Sequence, residues 1–226
     1  MSLREELAAF AATLPSRIPA ERRAVMERAT QSLTASGIVE RAAKVGDRAP
    51  DFALPDPTGR IVALTDLLAK GPVVVMFYRG GWCPFCNMQL RAYQRCLPEF
   101  ADLGAALVAI SPQTPDHSLS SAEKNALTFP VLSDAGGDVS ARFGLRFELP
   151  AELQGIYTAF GNDLPRINGE AGWHLPVPAT YVIAADGRIV QAEVDPDYRM
   201  RPDPEAVIAA LQDLKRLPSA ALVQIA

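Results

Sequence analysis

The sequence predicts an α/β fold: a mixed central sheet flanked by helices, preceded by an N-terminal helical extension over residues 1–44. Three observations carry this expectation. Two apolar, β-branched runs at 73–78 and 106–111 read as strands buried on both faces. Residues 180–184 and 188–194, joined by Ala185-Asp186-Gly187, read as a hairpin. Between these lie segments of helical period, which is the alternation of a sheet covered by helices.

In chain order, Leu3, Leu7, Phe10 and Leu14 recur at spacings of 4, 3 and 4, and Val25, Met26, Ala29 and Leu33 form a second stripe. Two helices are therefore expected before residue 45. Pro19 suits the first turn of the second, and Gly37 a left-handed C-terminal cap. Both stripes need a partner, either the main domain or the second subunit of a homodimer. The main domain is expected over 45–217, with a tail at 218–226. Within it, 60–63 follows the Pro57-Thr58-Gly59 turn as a short strand, and 73–78 is a central strand. A helix from Pro84 to about Arg95 comes next, then the strand 106–111, a helix at 119–125, a short strand at 131–132, the hairpin, and an amphipathic helix at 204–217. Residues 148–176, with Gly and Pro throughout and Trp173-His174 near the end, read as a long insertion of the kind that forms lids or partner surfaces.

Composition bounds the function. The chain has 226 residues, 49% of them hydrophobic, enough for one large domain with an extension. A net charge of -4 with scattered basic residues argues against nucleic acid or an anionic membrane as partner. Its apolar runs fall far short of the roughly 20 residues that cross a bilayer. The N-terminus lacks the pattern of a signal peptide, so a cytoplasmic protein is expected. Three cysteines do not make a disulfide scaffold. In a reducing compartment a Cys-x-x-Cys points instead to catalysis or a metal.

That motif stands in FYRGGWCPFCNMQL, residues 77–90. Pro84 is suited to the first helical position, which puts Cys83 at the N-cap and Cys86 in the first turn. There the unpaired N–H groups and the helix dipole stabilise a thiolate. Arg79, four residues before Cys83, adds positive potential, and Trp82 flanks the pair. A zinc site needs four ligands and haem attachment needs His after the second cysteine, where Asn87 stands, so neither metal nor cofactor is expected. Cys96, about 15 Å along the helix from Cys86, reads as a small buried residue. His117 reads as a loop or cap residue, and His174 as structural.

The segments VGDRAPDFALPDPTGRIVALTDLLAKGPVVVMFYRGGWCPFC, FPVLSDAGGDVSARFGL and TYVIAADGRIV resemble the peroxiredoxins of the alkyl hydroperoxide reductase C and thiol-specific antioxidant family, over about residues 45–215. The resemblance implies a thioredoxin-like fold and thiol-dependent peroxide reduction. It also implies a thioredoxin- or glutaredoxin-type reductant. In the family's Pro-x-x-x-Thr-x-x-Cys pattern the peroxidatic cysteine falls on Cys86, the Thr on Cys83, the Pro on Arg79, and a later Arg on Pro178. Both groups that polarise the peroxide are thus replaced, and slower peroxide reduction is expected. The WCPFC stretch is also similar to thioredoxins and glutaredoxins, which implies a cis Val177–Pro178 bond facing the thiols. In the peroxiredoxin register Cys86 attacks a peroxide and Cys83 condenses with the sulfenic acid. In the thioredoxin register Cys83 attacks a protein disulfide and Cys86 resolves it. A redox sensor without turnover is the non-enzymatic alternative.

Overall fold

The structure is a computed structural model that describes residues 1–169 and 172–216; the expected tail at 218–226 and Leu217 lie outside the described residues. The N-terminal extension holds four helices rather than two: α1 (Leu3–Ala11), α2 (Leu14–Arg17), α3 (Ala20–Ala35) and α4 (Ile38–Arg41). α1 opens in a capping box between Ser2 and Glu5. It cannot continue through Leu14, because Pro15 has no N–H to donate to the preceding turn. Pro19 is the N-cap of α3 rather than a residue of its first turn. Gly37, at φ 71°, takes the left-handed conformation that separates α3 from α4.

The main domain continues as β1 (Ala53–Pro55), β2 (Ile61–Ala63), α5 (Leu64–Leu68), β3 (Val73–Phe77), α6 (Pro84–Arg95), α7 (Leu97–Asp102), β4 (Ala106–Ser111), α8 (Pro115–Lys124), β5 (Val131–Ser133) and α9 (Asp138–Arg142). It closes with β6 (Arg146–Glu148), α10 (Ala151–Ala159), α11 (Leu164–Asn168), β7 (His174–Pro176), β8 (Ala179–Ile183), β9 (Ile189–Val194) and α12 (Pro204–Arg216). Five strands form the central sheet in the order β5-β4-β3-β8-β9. β3 runs parallel to β4 and β4 to β5, whereas β8 is antiparallel to both β3 and β9. β3 and β9 therefore point the same way, and the loops that follow them leave the sheet at the same end.

β3 divides its side chains between two cores, as strand alternation requires. Val74 and Met76 join the layer containing α6 and α12, and Val73, Val75 and Phe77 join the layer on the opposite face. Each fully buried apolar side chain of this kind contributes about 1.5–3 kcal/mol relative to exposure. Leu3 and Leu7 of α1 belong to the first of these layers, so α1 packs on its own domain, one of the two partners its stripe allowed. α3 is only half-buried along its length.

Residues 148–176 are not a structureless insertion. β7 returns to pair with β6, and Leu149, Leu153, Tyr157, Leu164 and Leu175 build a third apolar cluster against Val25, Met26 and Ala29 of α3. The short helices α10 and α11 carry too few turns for a clear period, which is why the sequence reads there as loop. His174 is buried in β7, and His117 lies in the first turn of α8, which starts earlier than expected. Cys96 caps α6 and is partly exposed rather than buried.

Candidate active site

β3 ends beneath the loop 79–82, and α6 begins directly after it. Cys83 is the N-cap of α6, Pro84 occupies its first position, and Cys86 lies one turn in. Two glycines shape this loop. Gly80 sits at φ 144°, and a Cβ there would stand 2.4 Å from Trp82 Nε1; one on Gly81 would stand 2.1 Å from Ser121 Oγ. The loop is then tied down from the other side. Gly81 N donates to Gln113 Oε1 (2.7 Å), Asn87 Nδ2 donates to Gly81 O (2.8 Å), and Asn125 Nδ2 donates to Asn87 Oδ1 (3.0 Å).

Both cysteines are free thiols, Cys83 1% and Cys86 0% exposed. Their electrostatics differ sharply. At Cys83 burial, a hydrogen bond given to Cys86 and the charge on Cys86 push the thiol well above its ordinary range. At Cys86 burial acts in the same direction but is outweighed: the Cys83 hydrogen bond, the Arg201 and Arg79 guanidiniums and the Arg79 backbone hold this thiol well below the ordinary range. These surroundings favour the thiolate at Cys86 over the thiolate at Cys83.

Arg201 is a residue that sequence reasoning missed. It follows β9, and because β9 and β3 point the same way, the loop carries it to the end of the sheet where the thiols lie. Arg201 Nη2 donates to Cys86 Sγ at 3.4 Å. Its Nη1 donates to Tyr198 O (2.7 Å) and to Met200 O, which fixes the guanidinium from its own loop. Among the described residues its buried Nε has no hydrogen-bond partner. Pro178 stands at the position where the resemblance puts the family's later arginine, and an arginine reaches Cys86 from another segment.

Arg79 is 4% exposed and lies among three rings, with its Cζ 4.5 Å from the Tyr198 centroid, 5.1 Å from Trp82 and 5.5 Å from Tyr157. It donates to the Tyr157 hydroxyl. Arg79, Trp82, Cys83, Pro84, Tyr157 and Tyr198 line one side of a cavity of about 350 Å³, and Leu14, Ile18 and Met26 of the N-terminal extension line the other. Cys86 is not in its wall. Tyr157 and Tyr198 carried no signal in the sequence, since neither belongs to a motif.

Val177 and Pro178 are placed differently from the other site residues. Val177 is buried in the core layer with Phe77, and Pro178 lines pockets beside Arg79 and beside Arg201 but not the cavity that holds Cys83. No peptide bond among the described residues is cis, so the expected cis Val177–Pro178 bond is corrected. The physical reason is the extended path between two paired strands. Val177 N donates to Leu145 O (2.8 Å), Pro178 O accepts from Asp195 N (3.3 Å), and β8 begins at once. Among the described residues no group of His, Cys, Asp and Glu side chains is arranged to hold a metal ion, and no helix is long and apolar enough to cross a membrane.

Residues 45–192 match the AhpC/TSA family. A Mycobacterium tuberculosis protein named as a peroxiredoxin is 37% identical over 113 residues, which is 50% of this chain and 73% of that protein. Peroxiredoxin Bcp of Escherichia coli is 36% identical over 102 residues, 45% of this chain and 65% of its own. Among solved structures, peroxidoxin BcpB from M. tuberculosis superposes with a TM-score of 0.60 at 28% identity, covering 76% of this chain and 97% of that one.

Proposed function

The chain belongs to the AhpC/TSA family, and from that premise we propose that it is a thiol peroxidase whose attacking group is the Cys86 thiolate and whose resolving group is Cys83. The observation that carries this reading is the 3.4 Å contact from Arg201 Nη2 to Cys86 Sγ, which places a guanidinium against that sulfur. A thiolate, not a thiol, is the nucleophile. The thioredoxin register needs the reverse polarity, with charge on Cys83, so the geometry favours the peroxiredoxin register.

The reaction follows from these groups. Cys86 Sγ attacks the terminal oxygen of the peroxide; an S–O bond forms, the O–O bond breaks, and the leaving oxygen departs as alcohol or water on taking a proton. Arg201, whose Nη2 already touches Cys86 Sγ, is the group that would stabilise negative charge developing on the peroxide oxygens. Cys83 takes the position of the family's threonine and supplies a weaker S–H donor in place of a hydroxyl. Cys83 then attacks the sulfenic acid of Cys86, an S–S bond forms and water leaves. A thiol reductant returns the disulfide to the dithiol.

The test is stopped-flow consumption of hydrogen peroxide by the reduced protein and by the Cys83→Ser and Cys86→Ser variants, with mass spectrometry of the products. Cys83→Ser is expected to consume one equivalent and accumulate sulfenic acid on Cys86, while Cys86→Ser is inert. Rapid peroxide consumption by Cys86→Ser would overturn the assignment.

A further inference from the structure

The two sulfurs have different access. Cys83 lines the cavity of about 350 Å³ beneath the N-terminal extension, and Cys86 does not. A reductant entering this cavity meets Cys83. Attack there is also the favourable direction of exchange, because the sulfur released is Cys86, whose thiolate the two guanidiniums stabilise, and a better leaving thiolate departs faster.

Charge narrows the choice of reductant. Among the described residues no carboxylate forms an ion pair with Arg79, although its side chain is almost fully buried. In the dithiol form the Cys86 thiolate offsets Arg79 and Arg201. Disulfide formation removes that charge; Arg201 keeps the nearby Asp195 and Asp197 carboxylates, whereas the buried Arg79 guanidinium is left without one, a costly arrangement that an incoming anion relieves. Arg17 adds a further cation to the lining. The cavity's size lies in the range of small-molecule sites. Leu14, Ile18 and Met26 of the extension complete its apolar lining.

We infer that the Cys83–Cys86 disulfide is reduced by a low-molecular-weight thiol that bears a carboxylate, with the carboxylate paired to Arg79 and the sulfur presented to Cys83. The inference rests on the reading that these cysteines cycle through a disulfide. In the first exchange the thiolate of the small molecule bonds to Cys83 Sγ, the Cys83–Cys86 bond breaks, and Cys86 leaves as thiolate. In the second, another small-molecule thiolate attacks its own kind's sulfur in the mixed disulfide. The small disulfide departs, and Cys83 takes up a proton. Two thiols are oxidised and the protein disulfide gains two electrons. Return of the Cys86 thiolate restores the counter-charge to Arg79 and weakens its hold on the carboxylate, so product release is built into the same step.

The experiment forms the disulfide with diamide, so that it does not depend on peroxide. Reduction is then followed by thiol counting and mass spectrometry with 3-mercaptopropionate, 2-mercaptoethanol and cysteamine, and with thioredoxin and its reductase. Rates are expressed per thiolate and compared with those for a free Cys-x-x-Cys peptide disulfide. The expected order is anionic, neutral, cationic, with 3-mercaptopropionate favoured over cysteamine by about tenfold relative to the peptide, as one charge-assisted contact provides. Thioredoxin is expected to be slower than 3-mercaptopropionate, and the mixed disulfide is expected on Cys83. Arg79→Gln should bring the anionic-to-cationic ratio back to that of the peptide. Ile18→Glu, which puts a carboxylate in the cavity wall, should lower it without touching Arg79. A wild-type ratio equal to the peptide's, an unchanged ratio in both variants, or faster reduction by thioredoxin would overturn the inference. Failure of diamide to link Cys83 to Cys86 would overturn the proposed catalytic cycle itself, and this inference with it.

Discussion

Arg201 Nη2 meets Cys86 Sγ at 3.4 Å across a sequence separation of 115 residues. Nothing local to either residue requires the meeting. It follows from strand direction, since β8 turns the chain around and β9 returns it toward the end of the sheet at which β3 delivers the thiols. Replacement of Arg201 by Gln should lower the second-order rate with peroxide by about 10²–10³, the usual loss when one donor to a developing oxyanion is removed. Arg201→Lys should recover part of it as a charge without the fork. Stopped-flow rates, with circular dichroism to verify folding, check this; an Arg201→Gln rate within a factor of about three of wild type would remove the residue from the mechanism.

The depressed Cys86 thiol sets a pH dependence. The peroxide rate should fall as pH drops through the lowered value of Cys86, and in Arg201→Gln fall at a higher pH. The same shift appears in stability. A folded-state pKa below the unfolded value of about 8.5 contributes stability that is fully present above the latter and is lost as pH falls through the former. The stability difference between reduced wild type and Cys86→Ser should therefore shrink as pH is lowered from about 8.5 through the depressed value of Cys86. Urea midpoints measured across this window give the answer, and a difference that grows on acidification would contradict the assigned polarity.

The N-terminal extension covers the thiols through few side chains. Leu7 of α1 is 3% exposed in the layer that also contains Cys83 and Cys86, and the Phe10 ring lies edge-on to Phe85 at 5.1 Å. Leu7→Ala should cost about 2–5 kcal/mol in denaturant unfolding, as a buried leucine truncation does. Phe10→Ala should quicken alkylation of Cys83 by iodoacetamide, read by peptide mass spectrometry. Unaltered labelling would mean that the extension does not limit access.

Gly81 answers to Ser121. A methyl at residue 81 would stand 2.1 Å from Ser121 Oγ, so Gly81→Ala must displace the loop that precedes Cys83. A loss of about 1–3 kcal/mol and slower peroxide reaction are expected, as for overpacking elsewhere. Gly81→Ala with Ser121→Ala should regain part of both. A double-mutant cycle with no coupling between the two sites would refute the steric account.

The parts of the fold that are legible in the sequence are those with a strong local signal. Val73–Phe77 and Ala106–Ser111 announce themselves by β-branched apolar runs, and Pro84–Arg95 by a proline at its first position. The split of the N-terminal extension at Pro15 was available from the same proline rule, but the continuing apolar stripe of Leu3, Leu7, Phe10 and Leu14 concealed it. α10 and α11 have too little period to be told from loop. In the site, Arg79, Trp82, Cys83 and Cys86 are neighbours in sequence, so local reasoning brings them together. Arg201, Tyr157 and Tyr198 reach them only through topology, and a single sequence carries no signal for that.

The closure between Arg4 and Asp203 has a further consequence. The backbone N–H of Arg4 donates to Asp203 Oδ1 at 2.9 Å, and the two side chains form an ion pair, so the first turn of the chain is fastened beside the loop that carries Arg201. During synthesis Cys83 and Cys86 leave the ribosome more than a hundred residues ahead of that loop. Until it arrives the dithiol has neither its second guanidinium nor this tether for its cover. The contact of Arg201 with Cys86 therefore forms only after the segment that follows β9 has joined the fold.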